Sequence, residues 1–283
     1  MIDGAFLHFP GIGPRRLHKL RQAGFLTWKS VLTSPDSLPF AGKMRDRFIA
    51  EVHRCQNAFE VNDINYLVKK ILPREQWRIL GRFFERASYF DIETTGFYPT
   101  DHISLIVCYH KGRFSCYLKD RNLEDFLDLL DEVQLLVSFN GSSFDIPRLL
   151  DTFHIPCLPC PHIDIRWLCY HARFRGGLKK IEQDLGIGRP GDLLGIDGLA
   201  AISLWNDWLL HKNRDSLNLL TRYCSADVFC LKILAQKILQ QNECFVDVPE
   251  RERVWDFLSN NRSCLSDTLI SGQYGNNTDY IGR

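Results

Sequence analysis

Apolar residues at Leu17, Leu20, Phe25, Trp28, Val31 and Leu32 recur at helical spacing, and the pattern predicts short helices through residues 1–60. Gly11-Ile12-Gly13-Pro14 interrupts them early. Pro35 and Pro39 interrupt them again before Met44, Phe48, Ile49 and Val52 predict a further helix. Residues 61–88, with Pro73 and Trp77, read as a connecting segment. From residue 89 the period changes. Residues 89–92, 103–109 and 113–118 predict three consecutive strands, the first two separated by a loop containing Gly and Pro. Leu123 to Leu130 predicts a helix, 134–139 a strand apolar enough to be buried on both faces, 142–153 a helix, and 162–165 a short strand. Helices are predicted at about 165–174, 177–185, 199–210 and 214–241. Together these elements predict an α/β domain over 89–241, a mixed sheet flanked by helices, preceded by a small all-helical region. Residues 242–283 are polar and lack a sustained period, which predicts a short helix near 251–258 and a partly disordered tail.

A chain of 283 residues, 45% of them apolar, can build one large domain or two small ones with a sizeable core. The N-terminus lacks a signal-peptide pattern, and no apolar run approaches the roughly 20 residues that span a bilayer. The expectation is a cytoplasmic, soluble protein with no membrane partner. The ten cysteines then read as reduced, buried, small hydrophobes. Charge divides the chain. Residues 1–88 hold 15 Lys+Arg against 8 Asp+Glu, whereas 89–283 hold 20 against 26. A basic arm for an anionic partner and an acidic, metal-carrying module fit this division, although solvated surface charge would look the same.

The chemistry centres on Phe90-Asp91-Ile92-Glu93-Thr94-Thr95-Gly96-Phe97. Side chains alternate along a strand, so Asp91 and Glu93 share one face and Ile92 points to the core on the other. Two adjacent carboxylates repel, and a divalent metal is the simplest partner for both. Asp145 follows the turn signal Asn140-Gly141 after the fourth strand, near that strand's carboxyl end, where open sheets bind ligands. It also fits a first-turn acid complementing a helix dipole. Tyr223 and Asp227 stand four apart, on one face of a mostly apolar helix in which an Asp needs a reason.

Asp-x-Glu on a first strand, Asn-x(4)-Asp after a middle strand and Tyr-x(3)-Asp on a late helix resemble the DEDD 3′–5′ exonucleases of the RNase H-like superfamily, tyrosine subtype. More narrowly, residues 80–240 resemble the YprB-type RNase H-like domain family. The matching pieces are Trp77-Arg78 just ahead of that stretch, Phe139-Asn140-Gly141, Phe144-Asp145, His162-Ile163-Asp164, Leu178-Lys179-Lys180-Ile181-Glu182 and Leu185-Gly186-Ile187. One departure is Cys224, where that family often has Asn. The resemblance implies a metal-dependent 3′–5′ exonuclease with two Mg²⁺ or Mn²⁺ ions, which can clamp the attacking and leaving oxygens of a phosphodiester. It implies that Asp91, Glu93 and Asp227 hold the metal that activates water, that Asp91 bridges to the second, and that Asp145 supports it. Tyr223 would orient the water, since a phenol with a pKa of about 10 is a poor base at neutral pH. A catalytically inactive nucleic-acid-binding module and a structure-specific endonuclease remain open alternatives.

Phe9-Pro10-Gly11-Ile12-Gly13-Pro14-Arg15-Arg16-Leu17 resembles a helix-hairpin-helix, whose glycine turn lets backbone N–H groups approach a phosphate. Gly11, Gly13, Arg15, Arg16 and Lys19, with Asn140 in the later domain, are the implied nucleic-acid contacts, and this tilts the substrate slightly from RNA to DNA. A weaker second copy starts at Leu38-Pro39-Phe40-Ala41-Gly42-Lys43. An ordinary glycine turn between packed helices is the alternative. Three further signals are read the other way. Cys157 and Cys160, with His154 and His162, have knuckle spacing but no second Cys pair, so loop and core cysteines are favoured over zinc. Gly186-Ile187-Gly188 follows a helix and not a strand, which argues against a dinucleotide site. Lys179 and Lys180 fit either contact with substrate phosphate or a place facing water, with water slightly favoured.

Overall fold

The computed structural model describes residues 1–96, 98 and 100–260; the tail expected beyond residue 260 lies outside the described residues. The chain divides into two compact units, Met1–Phe83 and a second from Phe84 onward. The first is helical: α1 (Pro14–Gln22), α2 (Trp28–Thr33), α3 (Lys43–Glu60), α4 (Ile64–Lys70) and α5 (Trp77–Phe83). Local chemistry sets these ends. Pro14 opens α1, where its missing N–H has no intrahelical partner to lose. Thr27 and Ser30 form a capping box on α2, and Asp63 accepts the Tyr66 N–H at the start of α4. Trp28 is fully buried and donates its indole N–H to the Ala5 carbonyl at 2.6 Å, so its polar handle is satisfied inside the core. Phe9 and Phe48 meet edge to face beside it. Residues 61–83, read from sequence as a connection, carry α4 and α5 within this unit.

The second unit is built on β1 (Ala87–Thr94), β2 (Ile103–His110) and β3 (Arg113–Leu118), then α6 (Asp125–Glu132), β4 (Leu135–Ser138), α7 (Asp145–Thr152) and β5 (His162–Asp164). It continues through α8 (Ile165–His171), α9 (Leu178–Asp184), α10 (Gly198–His211), α11 (Arg214–Gln241) and α12 (Arg251–Asn260). The sheet order is β3-β2-β1-β4-β5. β1, β2 and β3 pair antiparallel, whereas β4 pairs parallel to β1 and to β5. This is the RNase H-like mixed sheet with flanking helices. Phe90 and Ile92 of β1 join Phe126, Leu130, Leu136 and Leu149 in the core beneath α6 and α7. The alternate residues of β1 face the other way, where α11 packs across β1 and β2. β1 extends two residues past its expected end, so both carboxylates lie within paired strand, and the register shifts at Glu93/Thr94. Among the described residues no helix is long and apolar enough to cross a membrane.

Candidate active site

β1, β4 and β5 run parallel, so their carboxyl ends lie at one edge of the sheet, and α11 crosses the face that carries Asp91 and Glu93. There a cavity of about 350 Å³ is lined by Asp91, Glu93, Asn140, Asp145, Tyr223 and Asp227, together with Gly177, Lys179 and Lys180 from the start of α9 and the turn before it. The five expected catalytic side chains and Asn140 thus meet in one place. The other expected contacts, Gly11, Gly13, Arg15, Arg16 and Lys19, are exposed residues of the first unit. Ile12 between the glycines is buried as an anchor, Gly11 has φ of 81°, and Arg16 donates to the Gly11 carbonyl at 2.7 Å. The element before this turn is only a three-residue 3-10 helix, Ile2–Gly4. The weaker second copy at Gly42 has helices on both sides, α2 and α3.

The β4–α7 connection is fixed by a carboxylate that sequence reading left without a role. Asp164 is buried and accepts the backbone N–H of Asn140 at 2.8 Å, of Ser142 at 3.1 Å and of Arg166 at 3.1 Å. Held in this way, residues 140–144 stay out of the helix, and α7 begins at Asp145 and not at 142. Gly141 is required here: a Cβ would sit 1.8 Å from Ser138 Oγ. Asp164→Asn turns one acceptor into a donor facing an N–H. It is expected to lower unfolding free energy by about 1–2 kcal/mol, read by urea denaturation.

Burial and mutual repulsion dominate the electrostatics. Asp91 is pushed well above the usual carboxylate range by burial, then by Asp145, Asp227 and Glu93, with Lys179 opposing. Burial and then Asp227 raise Glu93 to about 8. Burial raises Asp145 to about 7, although its own and the Ile92 backbone N–H groups pull it back. Burial, followed by Asp227, Glu93 and Asp91, lifts the Tyr223 phenol, which therefore keeps its proton.

Asp227, also buried, is held by two cations. Lys179 bonds to its Oδ1, which corrects the expectation that this lysine faces water; Lys180 stays exposed and pairs with Asp184. Arg189 Nη2 reaches the same Oδ1 at 2.8 Å and Glu182 at 2.5 Å, with each of these three side chains under a tenth exposed. Lys179 also lies 4.4 Å from the Tyr223 ring centroid. No sequence signal marked Arg189. Glu182 lies in a matching stretch but carried no expected role.

The donor set fits a hard divalent cation. Asp91, Glu93 and Cys224 place a ligand atom each within 4.8 Å of one another. Burial, then Asp91, drives the Cys224 thiol well above its ordinary pKa, so it remains S–H and points at Asp91 Oδ2, 3.6 Å away. What is left for a metal is carboxylate oxygen, the ligand of Mg²⁺ and Mn²⁺. His162 is engaged elsewhere, 2.8 Å from Ser138 Oγ.

A family model described as the RNase_H superfamily matches residues 88–239. No curated protein matches the chain. Among solved structures, the chain is similar to the family B DNA polymerase of the hyperthermophilic archaeon Pyrobaculum calidifontis at 18% identity and TM-score 0.45, over 54% of this chain and 24% of the polymerase chain. It is similar to the Aedes aegypti Nibbler EXO domain at 17% identity and TM-score 0.41, over 66% of this chain and 92% of that one. By the family match, which spans more than half of its length and the whole sheet, the chain belongs to the RNase H superfamily.

Proposed function

We propose that the chain is a metal-dependent nuclease, a 3′–5′ exonuclease of the tyrosine DEDD type within the YprB-like group, acting on nucleic acid with DNA slightly preferred. One observation carries the reading: Asp91, Glu93, Asp145, Asp227 and Tyr223, spread over 137 positions of sequence, line a single cavity at the carboxyl ends of the parallel strands. Asp91, Glu93 and Asp227 would hold one Mg²⁺ or Mn²⁺, with Asp91 and Asp145 serving a second. When bound, such ions supply Lewis acidity and a hydroxide-like water near neutral pH. The protein's own contributions are separable. The carboxylates crowd together out of water, so their repulsion is offset by bound protons or by a bound cation. Tyr223 keeps its proton and so orients water as a hydrogen-bond donor without acting as a base. Arg189 fixes the Asp227 carboxylate through its buried ion pair. Residues 1–60 are assigned to nucleic-acid binding through the helix-hairpin-helix-like turns, 61–88, with α4 and α5 belonging to the first unit, to the link that follows them, 89–241 to the nuclease domain and 242–283 to a tail. Nine free cysteines among the described residues fit a reducing compartment, the cytoplasm.

The test is incubation of 5′-labelled single-stranded DNA and RNA with Mg²⁺ or Mn²⁺. The expected product is a ladder shortened from the 3′ end; internal cuts alone would replace the exonuclease by an endonuclease. One feature favours the inactive-module reading, namely that Lys179 and Arg189 already neutralise Asp227. Metal dependence of stability separates the two. Glu93 and Asp145 have folded pKa values raised to about 8 and about 7, above their ordinary 4.5 and 3.8. The folded state therefore holds protons that the unfolded state has released, and metal-free stability falls as pH rises from the ordinary values through the raised ones. Thermal melts in EDTA should fall between about pH 6 and about pH 8, and Mg²⁺ should raise the midpoint more at the higher pH. An inactive module would show no metal effect at either pH.

A further inference from the structure

α8 is amphipathic in an unusual way. Ile165, Leu168 and Cys169 are buried, as a core-facing stripe should be, but the solvent face carries Trp167 at 47% and Tyr170 at 51% exposure. Single exposed apolar residues are common and need no explanation. These two are adjacent on one helical face, with ring centroids 6.4 Å apart at 70°, and arginines accompany both. The Arg175 guanidinium lies 4.0 Å from the Tyr170 ring centroid, and that of Arg166 lies 5.9 Å from Trp167. The patch is tied to the carboxylate cavity by one hydrogen bond and by the chain itself. Arg166 donates to the side chain of Asn140, which lines the cavity, and the turn after α8 leads to Gly177, Leu178, Lys179 and Lys180, which line it as well.

We infer that the Trp167/Tyr170 face of α8, with Arg166 and Arg175, is a stacking platform for the unpaired bases of a single-stranded nucleic acid whose end enters the carboxylate cavity. The inference deepens the nuclease proposal and rests on it for the identity of the cavity. Aromatic faces and guanidinium planes stack on any base, whereas the bases of a duplex are already stacked on one another and offer only their edges. The arginines complement the phosphate backbone, and the negative cavity does not. The platform therefore selects single strands without reading sequence.

The experiment is fluorescence anisotropy of the full chain in EDTA with labelled oligo-dT, oligo-rU and a blunt duplex of equal length. Single strands should bind more tightly than duplex. Trp167→Ala and Tyr170→Ala should each weaken single-strand binding about 5- to 100-fold, Trp167→Phe much less, with duplex binding unchanged. Both residues are exposed, so unchanged duplex binding also reports an intact fold. Comparable weakening in the DNA and RNA arms supports stacking that ignores the sugar, and weakening in one arm alone assigns the platform to that strand. Wild-type affinity in the double alanine variant, equal losses on single strand and duplex, or no single-strand binding by the unaltered chain would overturn the proposal. The two readings fail separately. If the alanine variants lose strand binding but the unaltered chain cuts nothing with Mn²⁺, the platform stands and the nuclease falls. If the unaltered chain cuts and the variants bind and cut equally well, the reverse holds.

Discussion

Asp91→Asn is expected to reduce strand hydrolysis about 10³-fold or more while leaving the metal-free protein at least as stable as before. The loss follows from the role proposed for Asp91, which lines the cavity and would share metal ligation with Glu93 and Asp227. Metal stabilisation of transition-state charge supplies several kcal/mol, and each 1.36 kcal/mol is tenfold in rate. The retained stability follows from the same geometry. Asp91 is raised well above the carboxylate range by burial and by three neighbouring carboxylates, so its charged form opposes folding at neutral pH. Asparagine has nearly the same shape and removes that opposition. Single-turnover cleavage and a thermal melt in EDTA, run on the same preparation, read both halves. A variant that still cuts at the wild-type rate would remove Asp91 from the chemistry. One that lost activity only by unfolding would contradict the electrostatic account.

Arg189→Met should produce the largest loss of stability. The guanidinium joins Glu182 and Asp227 in a site where all three side chains are under a tenth exposed. Burial lowers its tendency to carry charge, but Asp227 and then Glu182 more than offset this and hold it firmly protonated. Methionine keeps much of the stem's volume and removes the charge, leaving the buried Glu182 carboxylate without the guanidinium and Asp227 with Lys179 alone. Breaking a buried pair by removing one partner costs about 3–5 kcal/mol. Urea denaturation of the metal-free protein measures it, and Arg189→Lys should lose less. A loss below about 1 kcal/mol would be the value of a solvated surface pair, and the network would then lack the structural role given to it.

The two periodicities made most of the fold legible. Alternation marked β1, and the long apolar period marked α11 to the residue, Arg214–Gln241. The start of α7 was not legible, because what holds residues 140–144 off the helix is Asp164, a partner 22 to 24 positions away. The carboxylates stood out because Asp91, Glu93 and Asp227 interrupt strongly apolar stretches, where each costs desolvation. Lys179 and Arg189 did not stand out, because charged residues in a helix and a glycine-rich loop read as solvated until the tertiary fold brings Asp227 between them. Trp167 and Tyr170 were equally hidden, since a sequence cannot tell an aromatic residue on the outer face of a short helix from one that packs inward.

The proposed chemistry requires the carboxylate cavity to hold two metal ions. Anomalous diffraction from crystals soaked in Mn²⁺ tests it most directly. Two manganese peaks about 4 Å apart are expected among Asp91, Glu93, Asp145 and Asp227, both lost in Asp91→Asn. A soaked crystal with Lys179 still bonded to Asp227 and no manganese among the four carboxylates would contradict it.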